Sequence, residues 1–264
     1  DVDAESAIRQ VQKYFGDIPS RKTPERNDVL EFERIGYRHM ELKLPVQVPN
    51  LYMSWNVHSL ATAKNPQDAY ALNIIRNVLD SGISSRLQDK LVRQRKILTA
   101  VSASYDPYNR GDSLFSISAL PADGIKMEQA QKAIQNEIDL LKAELVKSPE
   151  VERITTRFIS NLIYSQDDIS GQAKMIGNLE VNGLSFRLMD ELPKHFETVT
   201  PQDIQRIANI YFSRDNLSTL YLFPEQDNNQ ISTINPAPAD KNEKVEATPS
   251  VPQNAQSIET DNAI

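Results

Sequence analysis

The sequence contains no cysteine, three histidines and a single tryptophan among its 264 residues. The absence of cysteine excludes disulfides, thiolate zinc sites and a cysteine nucleophile. No run of about 18 apolar residues is present, so no segment is predicted to cross a membrane. The formal net charge is −7, which argues against nucleic acid as the main partner. The eight glycines are scattered, and none forms part of a phosphate-binding loop.

Composition and periodicity divide the chain into four parts. Residues 1–16 are predicted to form a helix, because Asp3 can cap it and apolar residues recur at helical spacing until Gly16. Residues 17–35, rich in proline and charge, are predicted to be a linker. Residues 36–225 are predicted to be one folded domain. Residues 226–264 have six acidic and two basic groups and no aromatic residue, so a disordered acidic tail is expected there.

The folded part is predicted to begin with strands and continue mainly with helices. Residues 37–44 and 51–58 are predicted to be two strands that pair with each other, followed by a helix that starts at Asn65-Pro66 and by a shorter one opened by Ser84-Ser85. Strands are predicted at 98–105 and 114–120, and the second has one buried face and one serine-lined face. Helices follow over 127–145, 151–162, 169–179, 185–196 and 200–212, and a strand over 217–223 ends the domain. This order predicts an α+β layer sandwich, a largely antiparallel sheet with helices on one side.

Three local patterns occur in the same order as in a known peptidase family. The first is Asp1-Val2-Asp3 with the later Lys13-Tyr14-Phe15-Gly16-Asp17-Ile18-Pro19. The second is Val78-Leu79, Ser84-Ser85-Arg86-Leu87 and Leu91, then Val101-Ser102-Ala103-Ser104-Tyr105. The third runs from Val199-Thr200-Pro201-Gln202-Asp203-Ile204 to Tyr211-Phe212. Together they resemble the insulinase, pitrilysin and mitochondrial-processing-peptidase family of zinc metallopeptidases, from the closing helix of its first domain to the last helix of its second.

The resemblance implies the C-terminal half of a subunit, whose zinc motif H-x-x-E-H would lie on the preceding domain. The chain begins at Asp1 without a methionine, and we interpret it as a trimmed piece. His39, His58 and His195 lack the spacing of a zinc-binding helix, so no metal ligand is predicted here, and zinc is expected only in the full-length parent. The implied partners are the N-terminal zinc domain, a peptide or protein substrate, and a family partner subunit in a homo- or heterodimer. A bacterial periplasmic or envelope location is favoured.

The resemblance also indicates where substrate-stabilising groups would stand. The family's second half often supplies an arginine and, seven residues later, a tyrosine that stabilise the developing oxyanion. These positions fall on Val92 and Thr99, which cannot do so, and Arg93 is one place out of register. No catalytic residue is therefore predicted, and the chain alone is expected to be inactive. In two-subunit bacterial members the zinc motif and this pair lie on different chains, so the loss fits a zinc-bearing subunit, although a non-catalytic subunit would share it.

Four residues are candidates for substrate contact: Ser84, Ser85, Arg86 and Arg93. The serine pair also fits a helix cap, and the basic residues around Lys90 also fit a solvated helix face. Two other functions stay open at this point. One is a non-catalytic scaffold or partner subunit of the same family, and the other is an unrelated protein-binding α+β module.

Overall fold

The computed structural model describes residues 3–21, 36–165 and 167–225. The predicted acidic tail and residues 22–35 of the predicted linker lie outside the described residues. The helices are α1 (Ala4–Phe15), α2 (Pro66–Leu79), α3 (Met127–Ala143), α4 (Ser148–Ser165), α5 (Ile169–Val181), α6 (Leu188–Glu197) and α7 (Pro201–Tyr211), with a π-helix at Gln88–Gln94 and a 3₁₀ turn at Arg214–Asn216. The strands are β1 (Arg38–Leu44), β2 (Asn50–Val57), β3 (Leu98–Ser104), β4 (Ser113–Pro121) and β5 (Leu217–Pro224). No helix within the described ranges is long and apolar enough to cross a membrane.

The five strands form one mixed sheet in the order β1-β5-β2-β4-β3. Only β1 and β5 are parallel, and the other three pairs are antiparallel. Alternate residues of β2, from Leu51 to Val57, are buried beneath α2, α3 and α7, because successive side chains of a strand point to opposite faces. The predicted class, a largely antiparallel sheet with helices on one side, is confirmed.

The predicted pairing of the first two strands is wrong. β5 lies between β1 and β2, so that Leu220 stands opposite Met40 on one side and opposite Tyr52 on the other. The prediction relied on nearness in sequence, which favours a hairpin. Residues 45–49 instead bridge two inter-strand spacings of roughly 4.8 Å each, which leaves room for the last strand of the domain.

Three aromatic rings occupy the centre of the core. Phe212 meets Trp55 edge-to-face at 5.2 Å and Phe115 at 4.9 Å between ring centroids. All three side chains are fully buried. Trp55 is therefore a core residue.

Helix α1 begins as predicted, with the Asp3 carboxylate accepting a hydrogen bond from the Ser6 amide at 2.9 Å. None of its residues is buried. Ile8, Val11 and Phe15 each expose more than half of their surface. The apolar side of this helix is thus uncovered in the part of the chain that the structure describes.

Candidate functional site

The sheet presents a serine-lined face on the side opposite its helices. Ser116 and Ser118 of β4 point to this side, because Phe115, Ile117 and Ala119 point into the core. The Ser116 hydroxyl lies 2.9 Å from that of Ser54, and the Ser118 hydroxyl lies 2.9 Å from that of Ser102. We call this surface the open face. It carries the alternation that the sequence predicted for the strand over 114–120.

A shallow depression of about 210 Å³ lies on the open face. It is lined by Asn50, Ser102, Ser118 and Leu120, with residues 100, 101 and 119. Towards β1 the same face becomes apolar, where Tyr52 stands beside Leu220. Hydroxyl, amide and small apolar groups can hold an extended chain by shape and hydrogen bonds. They cannot supply a general base, because neither a hydroxyl nor a carboxamide group takes up a proton near neutral pH.

Three of the four candidate contact residues lie between the end of α2 and the π-helix, Arg93 lies within the π-helix, and the four differ in their surroundings. Ser84 is exposed, whereas Ser85 is buried and its hydroxyl donates to the Gly82 carbonyl at 2.6 Å. Arg86 donates to both carboxylate oxygens of Glu150, at 3.1 and 2.9 Å. The exposed Arg93 pairs with Asp89 at 3.4 Å. Ser85 and Arg86 thus make structural contacts, and the assignment of all four to substrate contact stays a prediction.

The two positions onto which the resemblance places the arginine and the tyrosine lie on different elements. Val92, in the π-helix, packs partly buried against the core. Thr99 lies at a bulge of β3 between Leu98 and Ala100, and its hydroxyl donates to the Leu120 carbonyl at 3.3 Å. Neither side chain carries a positive charge or a phenol, so neither can stabilise an oxyanion as that pair does.

Sequence reasoning missed an ion pair that ties the π-helix to α3. Lys90 Nζ lies 2.8 Å from a carboxylate oxygen of Glu137, whose side chain is only 6% exposed. The basic residues of this region fit a solvated helix face in the sequence, and nothing local distinguishes Lys90 from its neighbours. The only signal was that Glu137 falls on the apolar side of α3, next to Ile134 and Ile138.

The histidines do not assemble a metal site. His39 lies beside Thr219 and Glu41, at 2.8 and 3.2 Å, and His58 lies 2.8 Å from Asp112. His195 stacks on Tyr70 with the ring centroids 4.8 Å apart. No group of three or more histidine, aspartate or glutamate side chains placed to hold a metal occurs among the residues described. Zinc in proteins needs three or four such donors, so the described residues do not fit this metal.

Several tyrosines are kept neutral by their surroundings. Burial, with a smaller effect from the Glu191 charge, raises the pKa of Tyr70 to about 12. Burial also raises the pKa of Tyr105 and of Tyr108 far above the ordinary range. The Tyr105 hydroxyl donates to the His58 carbonyl at 2.8 Å. The Tyr105 hydroxyl thus supports the segment that follows β2, and none of the three phenols is poised to act as a base.

A mixed five-stranded sheet with its helices on one side and a serine-lined open face has the features of a binding or accessory domain. Residues 1–158 match the family model described as the peptidase M16 inactive domain. The chain therefore belongs to the M16 peptidase family and contains its inactive, C-terminal domain. The resemblance to insulinase-like peptidases is confirmed, and the alternative of an unrelated protein-binding module is set aside.

Curated relatives and solved structures agree with this assignment. The chain is 28% identical over 162 residues to the zinc protease PqqE of Helicobacter pylori, covering 60% of this chain and 35% of that protein. It is 25% identical over 220 residues to an uncharacterized zinc protease of Rickettsia bellii, covering 83% and 51%. The crystal structure of a protease from Helicobacter pylori superposes with a TM-score of 0.77 at 22% identity, covering 85% of this chain and 54% of that one. The chain thus spans between about a third and a half of these curated relatives.

Proposed function

We propose that this chain is the non-zinc half of a zinc metallopeptidase subunit, where it closes the substrate chamber and contributes to peptide binding. Residues 1–16 would close the preceding zinc domain, residues 17–35 would link the two domains, and residues 36–225 would form the second. The preceding domain would hold the zinc and its general base. The observation that carries the proposal is the match of residues 1–158 to the inactive domain of the M16 family.

Two features of the structure support a role in enclosing substrate. The open face offers serine hydroxyls and a shallow depression of about 210 Å³, which suit an extended peptide better than a compact ligand. Helix α1 exposes an apolar side that includes Ile8 and Val11, as expected of an element that packs against a further domain.

A periplasmic setting is part of the proposal. One solved structure with this fold is described as the periplasmic protease PqqL from Escherichia coli, with a TM-score of 0.65 at 16% identity. The pairing of the subunit with a family partner, as a homo- or heterodimer, is also proposed.

The test joins this chain to the upstream half of its reading frame and compares the joined protein with the chain alone. The joined protein should bind zinc in stoichiometric amount, by mass spectrometry of the metal, and should cleave a fluorogenic peptide library, alone or with a co-expressed partner subunit. The chain alone should do neither. Zinc binding or peptide turnover by the chain alone would contradict the proposal.

A variant of the joined protein tests the open face directly. Ser118→Phe places a ring in the depression and should raise KM for peptide with a smaller change in kcat, since the reacting groups lie elsewhere. The control Thr156→Phe adds the same ring on the exposed surface of α4 and should leave both constants unchanged. If the two variants changed KM equally, a role of the open face in substrate binding would be contradicted.

The second candidate, a non-catalytic scaffold subunit, is favoured by one observation. The positions onto which the resemblance places the arginine and the tyrosine hold Val92 and Thr99, which is also what a subunit that has lost catalysis would show. It predicts that the joined protein binds no zinc and still forms a complex with an active subunit.

A further inference from the structure

The two edges of the sheet are protected to different degrees. The outer edge of β3 is capped by side chains from α2, from the residue that follows α2, and from the π-helix. Arg76 Nε donates to the Ala103 carbonyl at 3.0 Å, and the Ala103 amide donates to the Asp80 carboxylate at 3.0 Å. The Gln88 side chain donates to the Val101 carbonyl at 2.7 Å. Backbone groups that would otherwise recruit another strand are thereby satisfied.

The opposite edge, β1, has no such caps among the described residues. All seven residues from Arg38 to Leu44 are exposed. The Leu44 carbonyl accepts a hydrogen bond from the Glu225 amide at 2.8 Å, so the even-numbered residues of β1 direct their backbone groups towards β5. In a strand the backbone groups of successive residues point to opposite sides. His39, Glu41 and Lys43 therefore direct their N–H and C=O groups outwards, away from the sheet.

The side chains of β1 are arranged in two rows. Met40, Leu42 and Leu44 lie on the open face and expose 57%, 38% and 44% of their surface. Glu41 and Lys43 lie on the other face, and both are exposed. A row of exposed apolar residues beside a negative and a positive charge is self-complementary when the strand meets an antiparallel copy of itself.

We propose that β1 pairs antiparallel with β1 of a second copy of this chain, about a two-fold axis at Leu42. Odd-numbered residues must then face odd-numbered residues, because only these have outward backbone groups. In this register Glu41 lies opposite Lys43 of the second copy and exchanges both backbone hydrogen bonds with it, and by symmetry Lys43 lies opposite Glu41. On the open face Leu42 meets its own copy and Met40 meets Leu44. The two sheets become continuous.

The contact is small and defines a weak dimer. One pair of seven-residue strands buries less than the roughly 1,200 Å² that marks a stable interface, so the dimer should form and dissociate rapidly. Glu41 keeps its side chain 59% exposed although it contacts His39. It is therefore accessible to a lysine across the new strand pair.

Charge reversal tests both the surface and its register. Glu41→Lys sets lysine against lysine in both symmetric positions, and Lys43→Glu sets glutamate against glutamate. Each single variant should weaken self-association by about tenfold, since two cross-strand pairs turn from attraction to repulsion. The double variant E41K/K43E restores opposite charges and should regain the affinity. An equimolar mixture of the two single variants should also associate, because every position then pairs a lysine with a glutamate.

The measurement is sedimentation equilibrium of the 264-residue chain over a range of concentrations, with circular dichroism melting to verify that each variant is folded. Glu144→Lys and Lys147→Glu make the same charge changes between α3 and α4 and serve as controls that should leave the affinity unchanged. A chain that stays monomeric at every concentration would overturn the proposal. This would be so even if the β1 edge paired with an extended segment of another protein. The proposal would also be overturned if the single charge reversals left the association unchanged. The same holds if the double variant and the mixture of single variants did not regain it.

Discussion

Removing the Lys90 ammonium should destabilise the domain more than removing any exposed charge of the same region. Lys90→Met keeps most of the aliphatic stem and leaves the Glu137 carboxylate, with a side chain only 6% exposed, without its cation. Breaking a fully buried ion pair costs about 3–5 kcal/mol, but the Lys90 side chain is 38% exposed, so we expect a loss of about 2 kcal/mol.

The assay is equilibrium unfolding in urea, with the midpoint and the slope determined for each variant. Arg93→Met is the matched control: it lies on the same π-helix and pairs with Asp89 at 3.4 Å, and its side chain is 59% exposed. Its loss should be at most about 0.5 kcal/mol. The slope should not change for either variant, because the surface area that becomes exposed on unfolding stays the same.

A double-mutant cycle separates the pair from other effects of the substitution. Glu137→Gln removes the charge and leaves an amide that can still accept a hydrogen bond. The double variant K90M/E137Q should therefore be more stable than the sum of the two single losses predicts. If Lys90→Met costs no more than Arg93→Met, or if the two losses simply add, the reasoning that this pair holds the π-helix on α3 is wrong.

Three further outcomes are expected. Thr200→Ala removes the side-chain cap of α7 and should cost about 1 kcal/mol in urea unfolding. Partial burial acts to raise the pKa of Asp203, but hydrogen bonds from Thr200 outweigh it and lower this pKa. The stabilisation is therefore present above pH about 4 and is lost as the pH falls through the lowered pKa of the folded state. Thr200→Ala should lose less stability than the unmodified chain between neutral and acidic pH. Burial raises the pKa of Tyr70 and of Tyr221 to about 12. The stability that these phenols contribute should therefore be fully present below pH about 10 and should fall as the pH rises from there towards 12. In thermal melts, Tyr221→Phe should lose less stability over this range than the unmodified chain. Phe115→Ala leaves a cavity beside the buried rings of Trp55 and Phe212 and should cost about 3–5 kcal/mol, measured by the urea midpoint and the near-ultraviolet circular dichroism.

Helices and strands could be predicted where one local rule decided them. Asn65 caps α2 through the Gln67 amide, and Thr200 caps α7 through the Asp203 amide. The starts of both helices were predicted from residue type and position alone. The serine-lined face of β4 was likewise predicted from the alternation of residues. Such features depend on neighbours within four residues, which the sequence displays directly.

The sequence did not reveal features that depend on distant parts of the chain. Glu137 and Lys90 stand 47 positions apart, and Arg76 caps a carbonyl 27 positions away. The residues from Gln88 form a π-helix where an ordinary short helix was expected. Its hydrogen bonds and its contacts to α3 and β3 depend on packing, and no local residue pattern predicts them.

The position of β5 connects the wrong strand pairing with the difference between the two sheet edges. If β1 had paired with β2 as a hairpin, antiparallel bonds would have held it and β5 would have been an outer strand. With β5 inserted, β1 becomes the outermost of the described strands. It is held there by a parallel ladder, which is slightly less stable per residue than an antiparallel one. The chain caps the β3 edge with the side chains of Arg76, Asp80 and Gln88, whereas on β1 it places alternating charge and three exposed apolar residues. An edge with unpaired backbone groups and apolar side chains invites a further strand, and the Glu41 and Lys43 charges restrict which strand can pair there.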